Sequence, residues 1–264
     1  MKKIATALVL AAAWPAQSWA ESPEELAKKL SNPVASLISV PMQFNYDKSI
    51  GSANGSRSFV NVQPVIPFSI GTDWNLISRT ILPITIDQKD VAGLSGRQSG
   101  IGDVVQSFFF SPKAPTAGGL IWGAGPVLLL PTASDDLLGG KKWGLGPTGV
   151  ALTQSGPLTY GVLANHIWSV AGDANRADIN STYLQPFVTY TTKTATTFGL
   201  NTESTYDWKS AQWSVPINMS VFQMLKLGDQ LVQVGGGVRY WADAPAGGPS
   251  GWGLRIAFTL LFPK

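Results

Sequence analysis

The sequence predicts an all-β protein, a transmembrane antiparallel β-barrel of about 12 strands with a short N-terminal helix after a signal peptide. Apolar and polar side chains alternate along many short segments, as in strands with two unlike faces. Only 13% of the residues are charged, and the chain holds 28 Gly and 18 Pro, which favours strands and turns over helices. Tryptophans recur at the segment ends, where a membrane-spanning strand would meet water.

The segment from 198 to 208 shows the two faces most clearly. One parity is largely apolar or aromatic and includes Phe198, Leu200, Tyr206 and Trp208. The other carries two carboxylates, Glu203 and Asp207, which could not lie against lipid. Because the backbone groups of a single strand would stay unpaired in a bilayer, the chain must supply enough strands to close a barrel.

Residues 1 to 20 are predicted to be a secretory signal peptide. Lys2 and Lys3 precede an apolar run of about ten residues, and Ser18 and Ala20 fit the small cleavage positions. A membrane anchor is the alternative, but it would need about 20 apolar residues. Removing Lys2 and Lys3 lowers the basic residues from 19 to 17, against 16 acidic ones. No basic cluster remains to neutralise several phosphates, so nucleic acid is not an expected partner.

Residues 21 to 35 are predicted to form a short N-terminal helix and a tether. Ser22 suits the N-cap, Pro23 the first helical position, and Glu25 completes a capping box. Lys28 and Lys29 suit the last turn. The apolar side of this helix is too small to fold alone. We therefore expect it to dock at the periplasmic mouth or inside the lumen, as a tether or as a gate.

Residues 36 to 264 are predicted to form the barrel. Long and short connections alternate as expected for outer loops and periplasmic turns. The exceptions are a short outer turn at 209–210 and long inner turns at 112–118 and 224–230, which leave ten or fourteen strands as alternatives. The predicted strands are 38–47, 60–68, 74–86, 101–111, 119–131, 143–153, 158–171, 179–191, 197–208, 211–222, 231–241 and 252–262.

The segment 119–131 fits this pattern least well. Both of its parities are apolar, which is typical of a strand buried on both faces of a soluble β-sandwich. Prolines such as Pro126 and Pro147 also fall inside predicted strands, where each removes a ladder hydrogen bond. A soluble sandwich is therefore the alternative fold.

Two features of the strand ends point to the outer membrane. The last segment, ending at Phe262, alternates large apolar residues and resembles the terminal signal of outer-membrane barrels, so barrel-assembly machinery and outer-membrane lipid are the expected partners. Tryptophans at strand ends are predicted to be interfacial aromatic anchors. They are Trp74, Trp143, Trp208, Trp213, Trp241 and Trp252.

Polar side chains of the water-facing parity are predicted to line the lumen. They carry charges of both signs, which either tune a passage or fill the interior and hold it shut. The candidates are Asn61, Gln63, Asn75, Arg79, Asp103, Glu203, Asp207, Arg239 and Arg255.

No catalytic residue, metal site or cofactor is predicted. His166 is the only histidine, and Ser169, three positions later, would lie on the opposite face of a strand. A lipid hydrolase using a serine from a neighbouring strand remains an alternative. The Gly144 to Gly149 spacing is that of a dinucleotide fingerprint, but Pro147 interrupts it and no helix follows.

Seven segments of the chain have a familiar wording. They are Asn32–Pro41, Gln63–Pro67, Trp74–Thr80, Phe108–Pro112, Asn165–Ser169, Glu203–Trp208 and Gly235–Trp241. Together they resemble a bacterial outer-membrane family catalogued under the MetA pathway of phenol degradation, whose members are often labelled transporter or neuromedin U. The resemblance implies an outer-membrane barrel that handles small organic molecules, and it brings no catalytic residues.

We therefore expect a passive channel for small organic solutes, aromatic or hydrophobic ones included, in the outer membrane of a Gram-negative cell. A non-conducting structural or interaction barrel is the alternative. The solute, the oligomeric state and whether the lumen is open or plugged are left undecided.

Overall fold

The computed structural model describes residues 21–91 and 96–263, so the predicted signal peptide lies outside it. It contains one helix, α1 (Pro23–Leu30), followed by β-strands. No helix within these ranges is long and apolar enough to cross a membrane. The strands are β1 (Ile38–Ile50), β2 (Gly55–Val62), β3 (Val65–Ile70), β4 (Trp74–Lys89), β5 (Arg97–Ile101), β6 (Val104–Pro112), β7 (Leu120–Leu130), β8 (Lys142–Ser155), β9 (Leu158–Gly172), β10 (Asn180–Thr191), β11 (Thr196–Thr202), β12 (Ser204–Asp207), β13 (Gln212–Leu227), β14 (Gln230–Asp243) and β15 (Gly251–Phe262).

The strands close into one antiparallel barrel of 12 strands. Three barrel strands are interrupted, so β2 and β3, β5 and β6, and β11 and β12 each continue one another. The ring closes where β1 pairs with β15, from Ile38↔Phe262 to Tyr46↔Leu254. The predicted fold class and strand count are confirmed, and the soluble sandwich is wrong, because a closed ring leaves no free sheet edge.

The connections separate the two ends of the barrel. We call the end with the longer connections the loop end, which includes 131–141, 173–179 and 244–250. The opposite end, called the plug end, holds the turns 71–73, 113–119, 156–157, 192–195 and 228–229. The long inner turn predicted at 224–230 is wrong. β13 and β14 continue pairing to Leu227↔Gln230, so only Gly228 and Asp229 form the turn.

Alternate side chains point into the lumen, as predicted. In β1, Asn45 and Asp47 are 0% and 1% exposed, whereas Tyr46 between them is 38% exposed. In β11 the pattern is the same, with Phe198 and Leu200 exposed on the outer wall. The two faces predicted for the segment 198–208 are therefore confirmed.

Prolines interrupt the hydrogen-bond ladder of the wall at one level. Pro126 and Pro147 lie opposite each other in the register of β7 and β8. The pairing of β8 with β9 also skips Pro147, stopping at Leu145↔Trp168 and resuming at Thr148↔Asn165. Because proline has no N–H to donate, the ladder is weakest where the two prolines meet.

Helix α1 begins at the predicted capping box. Ser22 Oγ accepts a hydrogen bond from the Glu25 amide at 3.2 Å, and the Ser22 amide donates to Glu25 Oε2 at 3.0 Å. Leu26 and Ala27 are buried against Ala195 and Leu261, which lie at the plug end. The helix therefore packs at the plug end of the barrel, and the periplasmic orientation of this end stays a prediction.

The chain after the helix continues along the inner wall. Val34 is 4% exposed and packs with Ile77 and Phe109 in an apolar cluster that also includes residues of β8 and β9. A Cβ on Gly123 of β7 would meet Val34 Cγ1 at 3.1 Å, so the strand lies close to this segment. Val34 thus covers the inner face of β7 at Gly123, and Ile121 packs against the same cluster. This cover accounts for the apolar inward residues in this part of the segment 119–131.

Candidate functional site

Buried charges from four strands meet in the lumen. Glu203 lies between β11 and β12 and accepts two hydrogen bonds from Arg255, Nη1 to Oε1 and Nη2 to Oε2, both at 2.8 Å. Arg239 Nη2 reaches Glu203 Oε2 at 3.3 Å. Arg239 Nη1 also pairs with Asp47 Oδ1 at 3.4 Å, and Arg57 Nη2 reaches Asp47 Oδ2 at 3.4 Å. We call these five residues the inner charge cluster.

Neutral amides complete the hydrogen bonds of the two arginines. Asn45 Oδ1 accepts from Arg255 Nε at 2.8 Å and from Arg239 Nη2 at 3.0 Å, and Asn218 Oδ1 accepts from Arg239 Nε at 2.9 Å. Arg239 and Arg255 are only 4% and 5% exposed. Buried charges are tolerated when they are both paired and hydrogen-bonded, and here both conditions hold. Together with the two amides, the cluster joins side chains of the neighbouring strands β13, β14, β15, β1 and β2 on the inner side of the wall.

Trp241 contacts the inner charge cluster and does not lie on the outer wall. Its Nε1 donates to Asp47 Oδ1 at 3.1 Å, and the Arg239 guanidinium lies 5.6 Å from its ring. The prediction of an interfacial anchor is wrong because Trp241 shares the parity of Arg239. The lipid-facing position belongs to the next residue back, Tyr240, whose ring is 5.0 Å from that of Trp252.

This placement predicts that Trp241 contributes more to stability than Trp252, which lies on the outer wall. Trp241→Phe removes a hydrogen bond to the buried Asp47 carboxylate and is expected to lower the free energy of unfolding by about 1.5–3 kcal/mol. The control Trp252→Phe keeps an aromatic ring on the outer wall and is expected to lower it less. Urea unfolding in lipid vesicles measures both, and equal losses would contradict the inward placement of Trp241.

The remaining predicted anchors lie on the outer wall. Trp74 is at the plug end, and the others are near the loop end, where Trp213 and Trp208 both contact Tyr206. Their anchoring role stays a prediction. The exposed members are Trp74, Trp143, Trp208, Trp213 and Trp252.

A chain of three hydrogen-bonded side chains runs from β1, past the junction of β2 and β3, to β4, closer to the plug end than the inner charge cluster. Gln63 Nε2 donates to Gln43 Oε1 at 2.9 Å, and Arg79 Nη2 donates to Gln63 Oε1 at 3.0 Å. All three residues line two cavities. They therefore lie at the boundary between the two.

The two cavities occupy successive levels of the lumen. The plug-end cavity has a volume of about 240 Å³ and reaches Asn32 and Leu37 of the N-terminal segment. The mid-lumen cavity has a volume of about 280 Å³ and reaches Glu203 of the inner charge cluster. Among the predicted lumen residues, Asn61, Gln63, Arg79 and Glu203 line the mid-lumen cavity.

A lumen-lining role stays a prediction for three residues that line neither cavity and lie outside the inner charge cluster: Asn75, Asp103 and Asp207. Asp103 lies in the interruption between β5 and β6 and accepts hydrogen bonds from the amides of Ala133 at 3.1 Å and Gly140 at 2.7 Å, so it fixes the loop 131–141. Asp207 accepts from the Lys209 amide at 2.8 Å and caps a turn. Asn75 is buried near the plug end, where Ser69 Oγ lies 3.4 Å from its Oδ1.

The sequence prediction missed several residues of the site. Asp47 has the same parity as Gln43 and Asn45 in the first predicted strand, but it is not among the predicted lumen residues. Gln43 and Tyr183 line the mid-lumen cavity, and Asn45 bridges two arginines. The parity of β1 was the available signal for three of these four residues. Nothing in the sequence showed that distant strands would bring them together.

His166 lies on the outer wall. Its Nδ1 is 2.7 Å from Thr182 Oγ1, and its ring is 4.0 Å from the ring of Trp168. Thr182 also accepts from Trp208 Nε1 at 2.8 Å. Ser169 Oγ donates to Asp178 Oδ1 at 3.2 Å. The local His166 and Ser169 pairing that the sequence analysis rejected does not form.

The loop end holds an ion pair that fixes the loop 173–179. Lys142 Nζ donates to Asp178 Oδ1 at 3.0 Å. The hydrogen bond from Lys142, with its charge, lowers the pKa of the Asp178 carboxyl below its usual value. Since Lys142 is buried and Asp178 exposed, the pair joins the inner side of β8 to the loop.

Comparisons with known proteins show the fold. No family model and no curated protein matches the chain. The COG4313 outer membrane channel from Pseudomonas putida F1 has a TM-score of 0.67 at 14% identity, over 86% of this chain and 96% of that one. At this identity the likeness establishes a shared barrel architecture alone.

Two further barrels are less similar. The beta domain of the Bordetella autotransporter BrkA has a TM-score of 0.47 at 9% identity, over 86% of this chain and 100% of that one. The low-pH structure of Pseudomonas putida OprB has a TM-score of 0.28 at 7% identity, over 94% and 98% of the two chains. Neither adds to the functional argument.

Proposed function

We propose that this chain is an outer-membrane channel for the passive passage of small organic molecules, aromatic or hydrophobic ones included. The observation that carries the proposal is the pair of cavities that meet at Gln43, Gln63 and Arg79 inside a closed wall. Together they extend from the N-terminal segment to the inner charge cluster. A lumen filled only to hold the barrel shut would not need to leave such space.

The lining of the mid-lumen cavity suits organic solutes. Ile81, Val105 and Ile167 supply apolar surface, while Asn61 and Ser107 supply polar groups. Pockets for small organic molecules typically combine apolar walls with a few polar groups. A purely polar lining would instead favour ions and sugars.

The outer-membrane location has independent support. Exposed apolar and aromatic side chains cover the outer wall, and the fold matches that of the Pseudomonas putida outer membrane channel. The resemblance to the phenol-degradation family extends the proposal to aromatic solutes. Outer-membrane lipid and the barrel-assembly machinery are the partners that this location requires.

Two measurements on the folded protein test the proposal. In planar lipid bilayers the protein is expected to produce discrete conductance steps. In liposome swelling the wild type is expected to admit small aromatic solutes faster than protein-free liposomes do, and faster than disaccharides of larger size. The absence of both conductance and swelling, with correctly folded protein in the membrane, would contradict the proposal.

A non-conducting structural or interaction barrel is the second candidate. The packing of Leu26 and Ala27 against the plug end favours it, because this contact narrows the mouth. The lipid hydrolase has less support, since the ring contacts of His166 are to Thr182 and tryptophans on the outer wall. The bilayer recordings separate the first two candidates.

A further inference from the structure

We propose that Arg79 and the mid-lumen cavity form a binding site for a small organic carboxylate with an apolar body. The proposal deepens the proposed function, since it names the solute class that the lumen selects. Three observations support it. Arg79 has no ion pair among the described residues, the Glu203 carboxylate is already bound by other arginines, and the cavity is lined by both apolar and polar side chains.

Arg79 differs from the other three arginines of the lumen. Arg57, Arg239 and Arg255 each lie within 3.4 Å of a carboxylate oxygen. Arg79 has no ion pair among the described residues, and its hydrogen bond goes to the neutral Gln63 Oε1 at 3.0 Å. A guanidinium carries five N–H donors in a planar fork that matches a carboxylate. Arg79 therefore retains donors that face a cavity.

The nearby carboxylate is already used. Glu203 lines the same cavity, but both of its oxygens accept from Arg255 at 2.8 Å, and one also faces Arg239 at 3.3 Å. Even without Arg57, which lines neither cavity, Arg79, Arg239 and Arg255 set three guanidinium groups against the two carboxylates Asp47 and Glu203. This excess of positive charge favours an anion in the lumen.

The lining limits which anion fits. Ile81, Val105 and Ile167 give the cavity apolar surface on β4, β6 and β9. A single guanidinium matches one carboxylate by two parallel hydrogen bonds, and the apolar surface would accept an aromatic or branched body. A small inorganic anion would leave this surface uncovered. The structure thus assigns the site to monocarboxylates such as benzoate.

Benzoate and benzamide provide the direct test, because they share shape and size and differ in charge. Calorimetric titration of each into the wild-type protein in lipid nanodiscs, with empty nanodiscs subtracted, measures the affinities. Benzoate is expected to bind at least about ten-fold more tightly than benzamide. Equal binding of the two, or no saturable binding of benzoate to the folded protein, would overturn the site. This comparison needs no variant.

Variants then locate the site. Arg79→Gln is expected to weaken benzoate binding about ten-fold and to leave benzamide unchanged, while Arg79→Lys keeps most of the affinity. The control Arg57→Gln removes an arginine that is paired with Asp47 and lines neither cavity, so benzoate binding should persist. Wild-type affinity in Arg79→Gln would overturn the assignment, as would an equal loss in Arg57→Gln.

The channel and the site can fail separately. If the wild type binds benzoate through Arg79 but conducts no ions and admits no solute, the proposed channel fails and the site stands. If the protein conducts but does not distinguish benzoate from benzamide, the site fails and the channel stands.

Discussion

Replacing Glu203 by glutamine is expected to lower the free energy of unfolding by about 3 kcal/mol, the lower end of the range for breaking a buried ion pair. The change leaves Arg239 and Arg255, which are 4% and 5% exposed, without the carboxylate that they share. The lower end applies because 21% of the Glu203 side chain remains exposed to the lumen. Urea unfolding in lipid vesicles, followed by tryptophan emission, measures the loss.

Asp207, four residues after Glu203, provides the matched control. Asp207 shares the parity of Glu203, but it caps a turn, and an asparagine there can still accept from the Lys209 amide. Asp207→Asn is therefore expected to lower the free energy of unfolding by less than about 1 kcal/mol.

A double variant tests whether the two partners are coupled. In Glu203→Gln with Arg255→Gln, the loss of unfolding free energy should be smaller than the sum of the two single losses, because no unpaired guanidinium of Arg255 remains. Similar small losses in Glu203→Gln and Asp207→Asn would contradict a tightly coupled cluster.

Removing residues 21 to 35 is expected to raise the single-channel conductance severalfold. This segment places Leu26 and Ala27 against the plug end and Val34 against the inner wall. It also lines the plug-end cavity through Asn32 and Pro33. Without it, the inner charge cluster is expected to be the main restriction that remains in the lumen. Planar-bilayer recordings of the full-length and shortened proteins compare the two.

Point variants of the helix show whether the deletion raises conductance by opening the lumen or by destabilising the barrel. Leu26→Asp puts a charge into the buried contact and should raise conductance in the same direction as the deletion, while the barrel itself stays folded. Glu24→Gln is the control, since Glu24 pairs with Lys28 on the exposed side of the helix. Unchanged conductance in both the deletion and Leu26→Asp would show that the segment does not limit passage.

The two-faced strands could be predicted from the sequence because alternation is a local property. In the segment 198–208, lipid and lumen dictate opposite chemistry on adjacent residues, and the register of β11 with β10 and β13 preserves this parity. The capping box of α1 is equally local, and the hydrogen bonds between Ser22 and Glu25 form as predicted.

The errors arise where distant parts of the chain decide the outcome. The apolar inner face of β7 depends on Val34, which lies far away in sequence. Asp103 lies in the interruption between β5 and β6, where simple alternation no longer predicts the direction of a side chain. Residue type predicts Trp241 at the membrane interface, but its parity with Arg239 places it beside Asp47. Parity is the better predictor here because the indole N–H donates a hydrogen bond to the buried Asp47 carboxylate.

Spin labels on two adjacent residues test most directly whether the barrel has a lipid-facing wall and a hydrated lumen. Because the chain contains no cysteine, Ile256→Cys and Ala257→Cys each provide a single labelling site. Ile256 is 60% exposed on the outer wall, and Ala257 lines the plug-end cavity. In lipid vesicles prepared in heavy water, we predict strong relaxation by oxygen at position 256 and strong deuterium modulation at position 257. Equal signals at the two positions, or the reverse assignment, would contradict this structure of the wall.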